Sequence, residues 1–226
     1  MKLTEKKLII FDFDGTLIDS VPDLAASVNF MLSKLCRPTH SVDVIREWVG
    51  NGAATLVKRA LVAKQEFLEE EINKNLFEQA LPIFLEHYEA NSCVETFLYE
   101  SVQDTLEVLK GRGFTMAIVT NKPYKFIAPI LNSLSIDEYF DLLIGADSLE
   151  AKKPSPEPLL HVMKQLSCTK EESLMVGDSK NDIIAAKNAD IDSIAVSYGY
   201  NYGQDITLYD PTVVIKRFSD ILEHLN

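Results

Sequence analysis

Cysteine is scarce in this chain: Cys36, Cys93 and Cys168 are far apart and no two of them stand in a CxxC pair. An odd, scattered set supplies neither a disulfide framework nor a thiolate zinc site, and a reducing, cytoplasmic setting is expected. Basic residues are also short, 22 Lys and Arg against 34 Asp and Glu, for a formal net charge of -12. No cationic surplus exists to displace counterions from a nucleic acid, so no nucleic-acid partner is expected, although a small anion responding to a local field is not excluded. Long apolar runs are missing too. The N-terminal lysines Lys2, Lys6 and Lys7 precede only four apolar residues before Asp12, too few for a signal-peptide core. No stretch elsewhere reaches the roughly 20 residues of a membrane helix, so no membrane partner is expected either.

What remains is ordinary globular material, 226 residues of which 46% are hydrophobic and 25% charged, enough for a sizeable core and a smaller second unit. Its most informative stretch is Leu8-Ile9-Ile10-Phe11-Asp12-Phe13-Asp14-Gly15-Thr16. An apolar run long enough for a buried strand ends there in two carboxylates and a glycine turn. Burying one ionised carboxylate is costly, and a second one two residues later adds repulsion unless a cation or a shared proton compensates. A positive partner is therefore expected beside Asp12 and Asp14.

Between residues 21 and 92 the apolar positions recur at helical spacing: Leu24, Val28, Met31, Leu32 and Leu35, then Leu56, Val57, Ala60 and Leu61, then Leu76, Phe77, Ala80, Phe84 and Leu85. Pro82 is expected to kink or break the last of these helices. From about residue 100 the pattern changes. A helix over 101–112 stops at Gly111-Arg112-Gly113 and is followed by an apolar strand, Phe114 to Val119, with further strands at Leu142 to Ile144, Leu174 to Val176 and Ile194 to Val196. Strands alternating with helices imply an α/β fold, a doubly wound, Rossmann-like parallel sheet covered on both faces. The helical block reads as an insertion, so the expected organisation is a catalytic core of residues 1–15 and 98–226 with a helical cap of residues 16–97 inserted after the first strand.

Ligands of such sheets bind outside the carboxyl ends of the strands. The first strand ends in Asp12 and Asp14, the second in Thr120-Asn121, and the strand through Val176 in Gly177-Asp178-Ser179-Lys180-Asn181-Asp182; Lys152-Lys153-Pro154-Ser155-Pro156 lies before it. Acids, a hydroxyl and a lysine thus converge on one edge.

These four elements, in this order across the whole chain, resemble the motifs of the haloacid dehalogenase superfamily. The resemblance implies that Asp12 is a nucleophile forming an aspartyl-phosphate, and that Asp14 is the acid-base that protonates the leaving oxygen and then activates water. It also implies that Thr120, Asn121 and Lys153 bind the phosphate. The physical sense of these roles can be stated separately. At about 4 Å and an effective dielectric near 20, each unit of like charge on a phosphate dianion opposes attack by roughly 4 kcal/mol. Mg²⁺ bound by Asp12, Asp178 and the backbone carbonyl of Asp14 offsets that repulsion, and oxygen-only ligands suit so hard an ion. Asp182, one turn further on, supports this metal site from behind. Ser155 as N-cap with Pro156 as first helical residue fixes the chain after Lys153.

Asp14 at its position favours the phosphatase and phosphomutase branches of the superfamily. Trp48-Val49-Gly50-Asn51-Gly52-Ala53, Tyr198-Gly199-Tyr200-Asn201-Tyr202-Gly203 and Asp19-Ser20-Val21-Pro22-Asp23-Leu24 narrow the resemblance to the bacterial phosphoglycolate phosphatase branch, from which Phe13 departs where Leu is common. The implied activity is hydrolysis of 2-phosphoglycolate, a small phosphorylated metabolite, by a monomer or small homo-oligomer. A carboxylate-bearing substrate calls for a cation on the cap, and Arg59, with Lys58 and Arg46 behind it, is the candidate; Gly52 gives the connection beside it room to dip into the site. A sugar phosphomutase of the β-phosphoglucomutase kind, or another small-metabolite phosphatase, shares the same core motifs. A receiver-like signalling domain shares the acids, threonine and lysine, but such domains are about half this length and lack the helical insertion.

Overall fold

The computed structural model describes residues 3–225. In chain order the elements are β1 (Leu8–Phe11), β2 (Ile18–Asp19), α1 (Val21–Lys34), α2 (Val42–Arg46), α3 (Ala53–Val62), α4 (Lys74–Ala90), β3 (Phe97–Leu98), α5 (Val102–Gly111), β4 (Thr115–Val119), α6 (Ile127–Ser133), β5 (Leu142–Ile144), α7 (Glu157–Gln165), β6 (Ser173–Gly177), α8 (Lys180–Ala189), β7 (Asp192–Val196), β8 (Val213–Ile215) and α9 (Ile221–His224). Six strands form one sheet in the order β5-β4-β1-β6-β7-β8, and every pairing in it is parallel. This is the α/β architecture expected of alternating strands and helices.

β1 is central because both of its faces are apolar. Ile9 and Phe11 enter one buried cluster together with Val102 and Leu106 of α5 and Ile127 and Ile130 of α6. Leu8 and Ile10 enter the other, against Leu159 and Val162 of α7 and Ala185 and Ala186 of α8. A strand buried on both faces reads as a continuous apolar run rather than an alternation. Phe11 is level with Ile118 of β4 and Val176 of β6, so the residues after these three strands meet at one edge.

Helices α1 to α4 all lie between β2 and β3, two-residue strands that pair antiparallel as Ile18 with Leu98 and Asp19 with Phe97. Asp23, buried at the start of α1, accepts the backbone N–H groups of Val94, Glu95 and Thr96 and the Thr96 hydroxyl, fixing the outgoing and returning chains to each other. Several expectations shift. Pro82 lies inside α4, which runs on through it; the Ala80, Phe84 and Tyr88 stripe is fully buried and its packing outweighs one lost backbone bond. α7 begins at Glu157 with Pro156 as its cap residue, and Ser155 Oγ instead accepts the Glu157 N–H at 3.3 Å. After Asn121 a single turn over 124–126 leads into α6.

Candidate active site

Asp12 and Asp14 follow β1, and the chain reverses between them and β2 through Gly15 at a φ of 89°. A Cβ there would collide with the Asp178 carboxylate, so both the conformation and the close approach require glycine. Asp178 follows β6. Its Oδ2 accepts the Tyr200 N–H at 2.7 Å and its Oδ1 the Thr16 hydroxyl at 3.0 Å. Asp182, one turn into α8, accepts the Ser179 N–H at 3.0 Å and the Ser179 hydroxyl at 2.8 Å in a capping box. Lys153, from the loop before α7, is fully buried and stands 2.9 Å from Asp12 Oδ1 and 2.6 Å from Asp182 Oδ1.

Carboxylate oxygens of Asp12, Asp178 and Asp182 lie within 4.8 Å of one another. Three carboxylates facing one ammonium leave two negative charges without a partner. Burial first, and then Asp182, pushes Asp12 up to about 7 against the pull of Lys153. Burial, Asp12 and Asp182 likewise hold Asp178 well above the ordinary carboxylate range. For Lys153 burial works against the ammonium, but Asp12 and Asp182 outweigh it and raise its pKa. A buried, oxygen-only donor set short of two positive charges fits a hard divalent cation. Asp182 is thus part of the acidic cluster itself rather than behind it, and the Asp14 carboxylate is not among its members.

Asp14 has partners of its own. Its carboxylate accepts from Lys122 Nζ at 2.8 and 3.2 Å and from the Ser20 hydroxyl. Lys122 in turn donates to the Tyr88 hydroxyl at 2.7 Å. Burial disfavours the Lys122 ammonium, yet Asp14 and Tyr88 more than offset it and hold the group well above the ordinary lysine range. Neither Lys122 nor Tyr88 was singled out by sequence reasoning. The available signals were a lysine directly after the strand-end Thr120-Asn121 pair and a phenol tip on the apolar stripe of α4.

A narrow cavity of about 40 Å³ opens between this edge and the helices. Its core side is Asp12, Asp14, Thr120, Asn121 and Lys122, and its helical side is largely apolar, with Leu24, Val49, Leu56, Phe84 and Tyr88. Thr120 Oγ1 accepts the Lys122 N–H at 3.1 Å, leaving its own hydrogen to donate. Asn121 donates to the carbonyls of Gly50 at 3.0 Å and Lys153 at 3.1 Å. Asn121 Oδ1 is the one buried side-chain polar atom without a partner among the described residues. Gly52, at a φ of 90°, also lines the cavity, and a Cβ on it would sit 2.9 Å from the Asn121 carbonyl oxygen. The cap cations expected to read a substrate are engaged elsewhere. Arg59 is buried and donates to the carbonyls of Trp48 and Gln65, both at 2.7 Å, with its guanidinium over Tyr202. Lys58 pairs with Glu69 and Arg46 with Asp19. None of the three lines the cavity. Lys152 is exposed and donates to the Asn51 carbonyl at 2.9 Å.

The loop after β7 props this site: Tyr198 donates to the Thr16 carbonyl at 2.8 Å, and Tyr202 Oη accepts from Asn181 at 2.9 Å. No helix of the described residues is long and apolar enough to cross a membrane.

A family model described as haloacid dehalogenase-like hydrolase matches residues 9–196. Among curated proteins, a phosphoglycolate phosphatase of Colwellia psychrerythraea is 51% identical over 222 residues, covering 98% of both chains. One of Psychrobacter arcticus is 47% identical over 221 residues, covering 98% of this chain and 96% of the relative. Among solved structures, a predicted phosphoglycolate phosphatase from Haemophilus somnus superposes with a TM-score of 0.91 at 39% identity, covering 97% of this chain and 98% of the other.

Proposed function

Because the chain belongs to the haloacid dehalogenase-like hydrolase family, we propose that this phosphoric monoester hydrolase converts 2-phosphoglycolate to glycolate and phosphate through a phosphoryl group carried on Asp12, with Mg²⁺ as its cation. The observation that carries the reading is that Asp12 and Asp14 line one cavity while answering to different cations, Lys153 and Lys122. Two carboxylates with separate partners can do separate jobs.

Asp12 attacks phosphorus as the bond to the ester oxygen breaks, and Asp14, carrying the proton it took from water at the end of the preceding turnover, gives that proton to the oxygen as it leaves. Asp14 then takes a proton from a water that attacks the phosphoryl group, breaking the bond to Asp12 and releasing inorganic phosphate. Asp12 is preoriented for attack because its Oδ1 accepts the Phe13 N–H at 2.7 Å as well as meeting Lys153. The Thr120 hydroxyl and the Lys153 ammonium donate to the transferring oxygens, and Asn121 holds the Gly50 carbonyl against the site. Asp12, Asp178 and Asp182 would hold Mg²⁺, which when bound supplies positive charge against the repulsion between Asp12 and the phosphate. Residues 16–97 act as a cap on a core of residues 1–15 and 98–226, excluding bulk water during transfer.

The names of the relatives and the small cavity support the choice of substrate. A sugar phosphate would need hydroxyl partners that the apolar wall of Val49, Leu56 and Phe84 does not offer. The test is phosphate release from 2-phosphoglycolate and a panel of small phosphoesters, with and without a chelator, by the wild type and by Asp12→Asn. The expected outcome is metal-dependent release with at least about a tenfold preference for phosphoglycolate, a loss of roughly 10⁴-fold or more in the variant, and acid-quenched label from the substrate's phosphate on the wild type alone. Failure to release phosphate from phosphoglycolate overturns the substrate; equal turnover by Asp12→Asn overturns the nucleophile.

A further inference from the structure

We infer that Lys122 and Tyr88 form a carboxylate-binding subsite beside Asp14, which selects phosphomonoesters carrying an anionic group on the carbon that bears the ester oxygen. The inference rests on the reading above, in which Asp14 protonates the leaving oxygen. It moves recognition of the substrate's far end from the cap cations to a lysine of the core and a phenol of α4.

Lys122 is the one cation that lines the cavity among the described residues. Its ammonium has three N–H donors. Two make short bonds, to Tyr88 Oη at 2.7 Å and Asp14 Oδ1 at 2.8 Å, while the contact with Asp14 Oδ2 is longer at 3.2 Å. The third N–H is the one a second carboxylate can win. Tyr88 Oη accepts from Lys122, and its own O–H donates to no described residue. Burial, opposed in part by Lys122, pushes this phenol up to about 12, so the proton stays in place at neutral pH. One O–H free to donate, and one N–H held only by the longer contact to Asp14 Oδ2, thus stand on touching residues for the two oxygens of a carboxylate.

The reach is fixed by covalent chemistry. If Asp14 touches the leaving oxygen at about 2.7 Å, a carboxylate on the adjacent carbon has its oxygens no more than about 3.6 Å from that oxygen at standard bond lengths. A cation already in contact with Asp14 is the group such a carboxylate meets. Val49, Leu56 and Phe84 line the same cavity with apolar surface, and a low-dielectric wall strengthens the ion pair and penalises a substrate without the anionic group.

The test compares 2-phosphoglycolate with ethyl phosphate, which has the same ester and lacks the carboxylate, and reads the ratio of their kcat/KM values. Lys122 also holds Asp14, so absolute rates fall for both substrates when it is replaced, and only the ratio isolates recognition. In Lys122→Met the ratio is expected to fall about 100-fold, or about 2.8 kcal/mol at ~1.4 kcal/mol per tenfold. In Tyr88→Phe, which removes one oxygen and keeps the ring, it is expected to fall about fivefold; this variant decides the matter if Lys122→Met does not fold. A wild type that favours phosphoglycolate while both variants keep its ratio within twofold overturns the subsite and leaves the substrate standing. A wild type with no preference overturns the substrate and the subsite together.

Discussion

Two lysines are buried against carboxylates at this sheet edge, and they are not equivalent. Lys153 faces Asp12 and Asp182 with Asp178 close behind, so one positive charge answers three negative ones. Lys122 faces Asp14 alone and adds a neutral phenol. The first arrangement is short of positive charge, which the proposed divalent cation would supply. The second is balanced as it stands and is left with hydrogen-bond donors rather than charge. Attack and selection can therefore be tuned separately, although Asp12 and Asp14 are two residues apart.

The comparison is broken most strongly by removing one carboxylate from each side. Asp178→Asn is expected to lower turnover by at least about 10²-fold while raising the melting temperature of the metal-free protein. Relief of roughly 1 kcal/mol of crowding corresponds to about 2–4 °C in a chain of this size. The amide can still accept the Tyr200 N–H and face the Thr16 hydroxyl, so packing is kept. Millimolar Mg²⁺ should raise the melting temperature of the wild type and leave that of the variant nearly unchanged, since only a folded site that binds the ion is stabilised. Asp14→Asn is expected to do the opposite to stability, lowering it by about 2 kcal/mol because the buried Lys122 loses its counterion. If both variants melt on the same side of the wild type, the two lysines are not distinguished by their charge balance.

The same contrast has a pH dependence. Asp12, raised to about 7, and Asp178, raised as well, bind protons in the folded protein at pH values where the unfolded chain has lost them. Stability of the metal-free protein therefore falls as pH rises from about 5 to about 7, and levels off once the folded groups have ionised. Mg²⁺ displaces those protons and should flatten the slope, as should Asp178→Asn. Thermal melts at pH 5, 6, 7 and 8 with a chelator check this, and a curve that climbs over that interval contradicts the crowding at Asp12 and Asp178.

How much of this was legible without coordinates follows from the physics of each part. The strand ends were readable because a carboxylate after an apolar strand is costly unless it serves chemistry, and Asp12, Asp14, Thr120, Asn121 and Asp178 stand at such ends, with Lys153 in the loop before α7. The parallel sheet was readable from doubly buried runs such as Leu8 to Phe11. β2 and β3, with two residues each, are too short for any periodicity. Lys122 escaped notice because a lysine in a loop is usually solvated, and only the fold shows Asp14 and Tyr88 closing on it. Asp182 was read as supporting the metal site from behind; that one of its oxygens meets Lys153 while the other closes a capping box with Ser179 depends on a residue 29 positions away.

The smallest effect on activity is expected at Arg59, the residue that charge alone would rank first as a reader of the substrate. Its donors are taken by the Trp48 and Gln65 carbonyls, so Arg59→Met leaves two carbonyls without their donor and costs about 1–3 kcal/mol of stability. The bond to Trp48 ties α3 to the connection between α2 and α3 that carries Gly50 and Gly52 to the cavity, so the catalytic consequence is a looser wall rather than a lost contact. KM for phosphoglycolate should rise less than about tenfold, and the ratio of kcat/KM against ethyl phosphate should stay within about twofold, because loosened packing affects both substrates alike. Against the 100-fold change expected at Lys122, that ratio separates a cation that holds the cap's shape from one that meets the ligand. A collapse of the ratio in Arg59→Met would return recognition to the cap and leave Lys122 as the partner of Asp14 alone.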